Sequence, residues 1–594
     1  MTTVSKPKTK RRKRRRPLSS PRSNDSLLCR IRSDKTAVGI KLLLSVAAAY
    51  SVFLVIGSAS RDGLRRRLRS NASGGGPTSL RHEPFPQSPL SQEQEVIQHP
   101  LDAYKKHNSS IGGDTGEDAD TKDGHLTMIE EEKVLLNVPK FWEPPVLAQY
   151  GGIRKYLGNY GSRLMTPQEA KSVGSVIIKD LVDGTQEELH TILVLFASFR
   201  DWMCPHSVER MFERAAHPER IRVAIIDQIL DGDISCSAPI VPCEEDSNQA
   251  LCKYSSQVEA MTLNANLSTG PIFARHLGYR MYRGEYFVVQ SDAHVQFAAG
   301  WDVDVIDQWK STGNEMAVLT SYVSRVQGNV DEETGERLSE TRPLMCESNF
   351  SDEGFDRHLE HGEQPEYKPD IEGSPQLEPF WGAGFSFARG HFVVNIPYDL
   401  HIPLVFMGEE ASIGIRGFTY GYDYYAPERN ILYHYYERPE NPNNKRESDV
   451  KVPKYWDAPN YDDTVEMRAM VRLNDIIHMS PPRRHPIRDR YWSRVEELTY
   501  GLGKVRTPEL FFDTFGIHRD SQVVEKNLCM FVASKSMHNF FVKRLREDGM
   551  GIDYEKLDGF QYKNKWPKNW WWWYHGDNPN EEDAYLEPMP DSGE

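Results

Sequence analysis

The sequence predicts an α/β fold with a mostly parallel central sheet, because strand-like and helix-like segments alternate along it. Apolar runs of strand length occupy residues 191–196, 221–226 and 286–290, and a helical pattern covers 208–212 between the first two. Continuous apolar runs are typical of strands buried on both faces, and strands that alternate with helices build parallel sheets. Ligands of such sheets bind beyond the carboxyl ends of the strands. We therefore expect the functional site in the segments that follow the strands.

A basic tail and a membrane span are predicted ahead of this fold. Residues 1–37 contain an unbroken run of lysine and arginine at 10–16, and residues 42–60 have no charged side chain. The uncharged stretch approaches the ~20 apolar residues that cross a bilayer, and the positive-inside rule keeps the basic side in the cytosol. The alternatives are a nuclear or nucleic-acid-binding arm for the basic run and a cleaved signal peptide for the apolar stretch. We predict a type II signal anchor at 38–60 in the Golgi or endoplasmic reticulum membrane, with no nucleic-acid partner.

A flexible stem is predicted for residues 61–138, since they are rich in Gly, Pro, Ser, Asp and Gln and lack a periodic apolar pattern. Everything beyond the span would then lie in an oxidising lumen. Six of the seven cysteines follow the span, which permits disulfides without fixing their pairing, and four glycosylation sequons lie on the same side. The cysteines are Cys204, Cys236, Cys243, Cys252, Cys346 and Cys529, and the sequons begin at Asn71, Asn108, Asn266 and Asn349.

The folded part of the chain is predicted to comprise a catalytic domain at residues 185–440 and a C-terminal extension at 441–594. Since the start of the chain is basic, the remainder is more acidic than the net charge of −14 indicates. The extension carries a tryptophan-rich segment at 566–574. We expect this segment to pack back onto the catalytic domain, and stacking on sugars or peptides is the alternative.

Asp292 and His294 form the clearest candidate for a metal site. They follow the apolar run 286–290 at a spacing of two, and side chains two apart on a strand project from one face. One oxygen and one nitrogen ligand, with other coordination positions open, suit Mn²⁺ or Mg²⁺ bound together with a substrate diphosphate. A strand end whose polar residues only meet water is the alternative.

Other segments place polar or aromatic residues at the same predicted edge. Arg200 and Asp201 follow the strand at 191–196, and Glu409 and Glu410 open a predicted helix. The Glu pair has a structural alternative, since acidic residues are favoured at helix N-termini. Two further segments have structural alternatives as core residues: the Trp381-Gly382 turn, which is of a kind that lines sugar pockets, and His434, which follows an apolar run.

Taken together, these segments resemble the hydroxyproline N-acetylglucosaminyltransferase family of GT-A glycosyltransferases, which is distantly similar to polypeptide N-acetylgalactosaminyltransferases. The resemblance extends over about residues 190–515, and the combination of segments is more specific than any one of them. The segments are 197–201, 270–275, 290–297, 301–302, 381–384, 408–410, 421–427, 433–434 and 501–506. The best-known acceptor of that family is hydroxyproline in a cytosolic protein, so the predicted membrane anchor argues against the same acceptor here.

The resemblance implies a retaining transfer of a sugar, GlcNAc above all, from a UDP-sugar to a hydroxyl of a protein or glycan acceptor. It implies Asp292, His294 and His434 as ligands of a divalent cation. Glu409 or Glu410 would orient the sugar or the acceptor. The residues implied to contact the nucleotide-sugar donor are Arg200, Asp201, Arg275, Trp381 and Gly382.

Two other functional classes compete with this interpretation. One is a non-catalytic, membrane-tethered glycan-binding protein on a transferase fold, against which the joint presence of both predicted histidine ligands and Asp292 argues. The other is a luminal glycoside hydrolase that pairs Glu409 with another carboxylate. Glu409 and Glu410 cannot themselves be that pair, because adjacent residues on a helix point in different directions.

Overall fold

An eight-stranded mixed sheet forms the centre of the protein, in the order β15-β17-β10-β16-β8-β5-β6-β7. Six of these strands run in one direction, and only β15 and β16 are antiparallel to their neighbours. The predicted α/β class with a mostly parallel sheet is therefore confirmed. The eight strands are β5 Ile192–Phe199, β6 Ile221–Ile229, β7 Val258–Asn264, β8 Phe287–Ser291, β10 Ala317–Ser321, β15 Gln376–Glu378, β16 Phe385–Arg389 and β17 Asp423–Ala426.

The computed structural model describes residues 94–102, 134–139, 173–179, 184–351, 357–436, 454–458, 461–479, 494–525 and 528–555. All of them belong to one compact unit, residues 83–594. No helix within these ranges has the length and apolar character needed to cross a bilayer. The predicted basic tail at 1–37, the predicted span at 38–60 and the tryptophan-rich segment at 566–574 lie outside the described residues.

Helices cover the sheet, and their first turns match the signals in the sequence. Proline occupies the first helical turn of α1 and α3, where its missing N–H costs no hydrogen bond. Gly408 precedes α6 at φ +93°, and Gly421 ends it at φ +97°, conformations that glycine adopts without strain. The helices are α1 Cys204–Glu213, α2 Ala250–Lys253, α3 Pro271–Arg280, α4 Trp301–Ser311, α5 His391–Asn395, α6 Glu409–Tyr420, α7 Asp463–Ile476, α8 Glu497–Tyr500, α9 Pro508–Thr514, α10 Leu528–Ala533 and α11 Ser536–Phe541.

Six small two-stranded sheets surround this core. One of them pairs β9 with β18, which brings the segment after Asp292 beside the segment that ends in His434. The strands are β1 Gln94–Gln98 with β2 Leu135–Pro139, β3 Ser175–Lys179 with β4 Gln186–His190, β9 Val295–Phe297 with β18 Leu432–His434, β11 Arg342–Pro343 with β14 Glu366–Tyr367, β12 Ser348–Phe350 with β13 Leu359–His361, and β19 Ile517–His518 with β20 Val523–Val524.

Part of the segment predicted to be a flexible stem is folded against the core. Strands β1 and β2 pair with each other, Arg280 of α3 donates a 2.9 Å hydrogen bond to the Pro139 carbonyl, and the His99 ring lies 2.7 Å from the Leu267 carbonyl. The structure thus differs from the prediction at 94–102 and 134–139. The reason is that these short strands are stabilised by distant partners, which a local composition count does not reveal.

All six cysteines beyond the predicted span are paired. The disulfides join Cys204 to Cys236, Cys243 to Cys252 and Cys346 to Cys529. The last of these ties the start of α10 to the loop before β12. Described parts of the extension also contact the catalytic core, since Arg506 forms a 2.7 Å ion pair with Asp423 of β17.

Candidate active site

A cavity of about 440 Å³ opens at the carboxyl edge of the sheet. Its wall includes Phe199 at the end of β5, Gln228 near the end of β6, Asp292 just after β8 and Tyr322 just after β10. This is the position at which open α/β sheets bind ligands, and the volume is within the range of small-molecule sites. The cavity therefore lies where the sequence analysis predicts the functional site.

The three residues predicted as metal ligands lie together in this cavity. The Asp292 carboxylate oxygen Oδ2 is 3.4 Å from Nε2 of His434, and the His294 and His434 rings are 4.5 Å apart between centroids. Contrary to the prediction from the sequence, Asp292 and His294 do not project from one face of a strand. The ladder of β8 ends at Ser291, so Asp292 and His294 sit in the bend before β9. The pairing of β9 with β18 then brings in His434.

The distances in this cluster suit two protein ligands of one divalent cation, but the three side chains do not enclose an ion. Within the described ranges, no three or more His, Cys, Asp and Glu side chains are arranged closely enough to enclose a metal ion. The 3.4 Å between Asp292 and His434 is nevertheless compatible with two ligands of one ion, since bonds of about 2.0–2.1 Å allow ligand atoms up to about 4 Å apart. His294 contacts Asp201 through Nδ1, so Nε2 is the ring nitrogen that would bind the ion.

Arg275 joins the metal candidates to the glutamates. Its guanidinium donates a 2.8 Å hydrogen bond to Asp292 and forms a second ion pair with Glu409. Burial acts to raise the pKa of Asp292, but the hydrogen bond from His434 and the charge of Arg275 outweigh it and hold the pKa below its ordinary value. Asp292 is therefore an anion, the form in which a carboxylate binds a cation. In this structure Arg275, predicted to contact the donor, is engaged by these two carboxylates.

Glu409 and Glu410 both line the cavity at the start of α6, although adjacent residues on a helix were expected to point in different directions. Glu410 is held at both oxygens, by a 2.7 Å bond from the Tyr322 hydroxyl and a 2.7 Å bond from the Ala383 amide. Glu409 binds Arg275 through Oε1, while its buried Oε2 has no hydrogen-bond partner in the described part of the chain. Burial raises the pKa of each glutamate to about 7.

Arg200 and Asp201 separate at the end of β5. Arg200 has a left-handed backbone, φ 51°, and its guanidinium forms a bidentate pair with Asp233 at 2.7 and 3.0 Å. It is not among the residues that line the cavity, so the structure gives the predicted nucleotide contact of Arg200 no support. Asp201 does line the cavity, but its carboxylate is directed to the His294 ring at 2.6 Å.

Trp381 and Gly382 also lie outside the cavity lining. Trp381 is fully buried, and its indole N–H donates a 3.0 Å hydrogen bond to Ser386. Gly382 packs so tightly that a Cβ would lie 2.9 Å from the backbone of Ser321. The aromatic turn is therefore core, and the next two residues, Ala383 and Gly384, reach the cavity in its place.

Several lining residues were not foreseen from the sequence. Gln228 and Tyr322 lie in or just after parallel strands, so the rule that singled out Asp292 could have found them. The aromatic mouth of the cavity, which we define as Phe406, Tyr455 and Trp456, has no comparable signal. Its Phe406 and Trp456 rings meet edge to face at 5.7 Å. The segment 454–458 comes from the extension, and only tertiary packing brings it to the sheet edge.

Comparison with known families gives this geometry its chemical context. The family model described as Glycosyltransferase (GlcNAc) matches residues 191–521, more than half of the chain. The chain belongs to this family. The match begins just ahead of β5 and includes every residue predicted for the site. The glycosyltransferase domain thus contains the whole cavity edge from Phe199 to His434. No curated protein matches the chain.

Solved structures similar to this glycosyltransferase are distant. GalNAc-T7 with UDP, GalNAc and Mn²⁺ shares 12% identity over 66% of this chain and 67% of that chain, at a TM-score of 0.36. S. aureus TarS 1-349 in complex with UDP-GlcNAc shares 10% identity over 62% of this chain and 97% of that chain, at a TM-score of 0.28. At such TM-scores neither similarity carries an argument about this chain.

Proposed function

We propose that this glycosyltransferase is a metal-dependent, retaining enzyme of GT-A type that moves GlcNAc from UDP-GlcNAc to a hydroxyl of a protein or glycan. The observation that carries the proposal is the convergence of Asp292, His294 and His434 with two glutamates at the carboxyl edge of a parallel sheet. The family membership supports the reaction class. The preference for GlcNAc rests on the family's name and on the resemblance of the sequence, and hydroxyproline, serine and threonine are the acceptor side chains to test.

The reaction breaks the bond between the anomeric carbon and the diphosphate oxygen, with the electron pair leaving on UDP. A hydroxyl oxygen of the acceptor forms the new glycosidic bond, and its proton leaves with the departing diphosphate of UDP. A cation held by Asp292, His294 and His434 would neutralise the charge that develops on the departing diphosphate. Mn²⁺ and Mg²⁺ both suit an oxygen and nitrogen ligand set with open positions.

The chain's own residues would orient the two substrates. Arg275 keeps Asp292 in the anionic form and fixes the direction of its carboxylate. Glu409 presents a buried oxygen with no donor among the described residues, so a hydroxyl of the bound sugar or acceptor would satisfy it. Glu410, held by Tyr322 and Ala383, stabilises the wall of the cavity.

We further propose that the enzyme is a type II membrane protein whose catalytic domain faces the lumen of the Golgi or endoplasmic reticulum. The uncharged stretch at 42–60 and the basic run before it support this orientation. Three disulfides in the described residues agree with an oxidising compartment.

UDP release from UDP-GlcNAc tests the activity and separates it from the alternatives. The purified luminal part should release UDP with Mn²⁺, more with an array of hydroxyl acceptors than without, and should stop on addition of EDTA. A glycan-binding protein would release none, and a hydrolase would cleave glycosides without a nucleotide donor.

Alanine substitutions of the three predicted ligands give the residue-level test. Asp292→Ala, His294→Ala and His434→Ala should each abolish transfer with little effect on the melting temperature. His518→Ala, which removes a half-exposed histidine remote in sequence, is the matched control and should retain activity. Near wild-type, Mn²⁺-dependent transfer by His434→Ala would remove that residue from the ligand set.

A further inference from the structure

The bond between Asp201 and His294 connects the first strand of the family domain to the predicted metal cluster. Asp201 Oδ2 lies 2.6 Å from His294 Nδ1, and Asp201 Oδ1 accepts a 3.0 Å hydrogen bond from the Met203 amide. Asp201 is only 3% exposed. Both carboxylate oxygens are thus used inside the protein.

We propose that Asp201 is a positioning residue, which holds the His294 ring at Nδ1 so that Nε2 is the nitrogen that would bind the cation. An ionised carboxylate only accepts hydrogen bonds, so the proton on this bond belongs to Nδ1 of His294 and Nε2 keeps its lone pair. A carboxylate that orients a histidine in this way fixes the ring tautomer and raises its strength as a ligand. The inference rests on the proposed function, since it names the residue that prepares one ligand of the same site.

The local chain explains why Asp201 points inward. Arg200 adopts a left-handed backbone, φ 51°, a conformation that is unfavourable for a residue with a Cβ. With this turn in place, the Arg200 side chain pairs with Asp233 and the Asp201 side chain contacts His294. The cost is offset by the Arg200–Asp233 pair and by the start of α1, where Cys204 donates from its amide to the Asp201 carbonyl at 3.1 Å.

The surroundings of His294 indicate that the Asp201–His294 contact orients the ring at the cavity and does not only stabilise the fold. The side chain of His294 is 19% exposed and lines the cavity, and its ring meets the His434 ring at an angle of 69°. Val295, the next residue, is fixed by a 2.9 Å bond from its amide to the Ser207 hydroxyl of α1. The helix that follows Asp201 therefore also holds the backbone of its partner.

The tautomer of His294 is the direct readout, and it needs neither metal nor activity. In ¹⁵N-histidine NMR spectra of the metal-free luminal part, with His294→Gln for assignment, we expect His294 to carry its proton on Nδ1. Asp201→Ala should lose this signature. Asp201→Asn should lose it too, because Met203 and His294 contact different oxygens of Asp201: with the amide oxygen kept on Met203, the –NH2 group faces Nδ1 and donates to it. An unchanged tautomer in both variants would overturn the inference.

Mn²⁺ affinity in the presence of UDP, measured by calorimetry, tests the consequence. Loss of such an orienting partner typically weakens metal binding 10–100-fold, and we expect that range for Asp201→Ala and Asp201→Asn. The control is Asp246→Ala, an exposed carboxylate that does not line the cavity, which should bind Mn²⁺ within about twofold of the wild type. Melting temperatures of all variants separate lost positioning from lost folding.

The two levels of the argument fail in different ways. A folded wild-type protein that releases no UDP in any assay would overturn the proposed function. An active Asp201→Ala protein with wild-type Mn²⁺ affinity would overturn this inference alone.

Discussion

At the scale of single residues, the two adjacent glutamates are expected to have unequal roles. Among the described residues, a buried oxygen of Glu409 has no hydrogen-bond donor, whereas both oxygens of Glu410 are occupied by Tyr322 and Ala383. We predict that Glu409→Gln lowers kcat at least about a hundredfold, which is ~2.7 kcal/mol of barrier. A contact made in the transition state lowers kcat more than it raises the donor KM.

Glu410→Gln is the matched comparison for this prediction, since it makes the same change one residue away. It should reduce kcat much less than Glu409→Gln does. Steady-state kinetics with varied UDP-GlcNAc measures both variants. Near-normal kcat in both would return the pair to the role of helix-end charges, for which the expected cost is about 0.3–1 kcal/mol of stability.

Glu410 also predicts a pH dependence of stability in the metal-free protein. Burial raises its pKa from the ordinary 4.5 to about 7. Between these values the folded state holds a proton that the unfolded state has lost, so this group's contribution falls as pH rises from about 4.5 to 7. Glutamine does not titrate. The stability of Glu410→Gln minus that of the wild type should therefore increase over this window, on the order of 1 kcal/mol, because the group is partly exposed at the cavity wall.

Urea unfolding of the metal-free luminal part at pH 5 and pH 7.5 measures this difference. The comparison between variants cancels the titration of groups that do not interact with Glu410. Glu409 does interact with it, and its pKa is lower without the Glu410 charge, which changes the difference in the same direction. A difference that stays constant or decreases with pH would contradict the raised pKa.

At the scale of elements, helix α6 determines where the glutamates lie, and two of its glycines should respond to alanine in opposite directions. Gly408, just before the helix, has φ +93°, which strains an alanine by about 1–2 kcal/mol. Gly414, inside the helix, has room for a Cβ 3.5 Å from the nearest atom of Trp381. Alanine there removes backbone entropy from the unfolded chain and should stabilise by about 0.5–1 kcal/mol.

Thermal and urea unfolding of Gly408→Ala and Gly414→Ala check these signs. Gly408→Ala should also lower kcat, because a shifted first turn moves Glu409 within the cavity, whereas Gly414→Ala should leave kcat near the wild-type value. Destabilisation by both variants to the same extent would show that the start of α6 is not specially constrained.

At the scale of the whole molecule, the proposed membrane orientation predicts where glycans are added. The sequons at Asn266 and Asn349 lie on exposed residues of the catalytic domain. We predict that the full chain in sealed microsomes is sensitive to endoglycosidase and that its C-terminus resists added protease. Asn266→Gln and Asn349→Gln should each increase the gel mobility by the amount expected for the loss of one glycan. An unglycosylated chain whose C-terminus is digested would place the catalytic domain on the cytosolic side and refute the type II assignment.

The sequence by itself determined the elements of this fold and the edge on which the site lies. The apolar runs before Asp201 and Asp292 are strands, and α3 and α6 begin at Pro271 and Glu409 as the sequence indicates. These features are predictable because burial and backbone geometry impose local periods and start signals within a few residues. The rule that ligands bind beyond the carboxyl ends of parallel strands then predicted the edge at which Asp292 lies, and the two glutamates line the same cavity.

Only the tertiary structure decided which side chains meet there. It turned Arg200 away to Asp233, buried Trp381 in the core and joined Asp201 to His294 across 93 positions of sequence. It also paired the cysteines and brought Tyr455 from the extension to the cavity. Such contacts depend on packing between distant elements and on single backbone conformations, such as the left-handed Arg200, and no local pattern in the sequence encodes them.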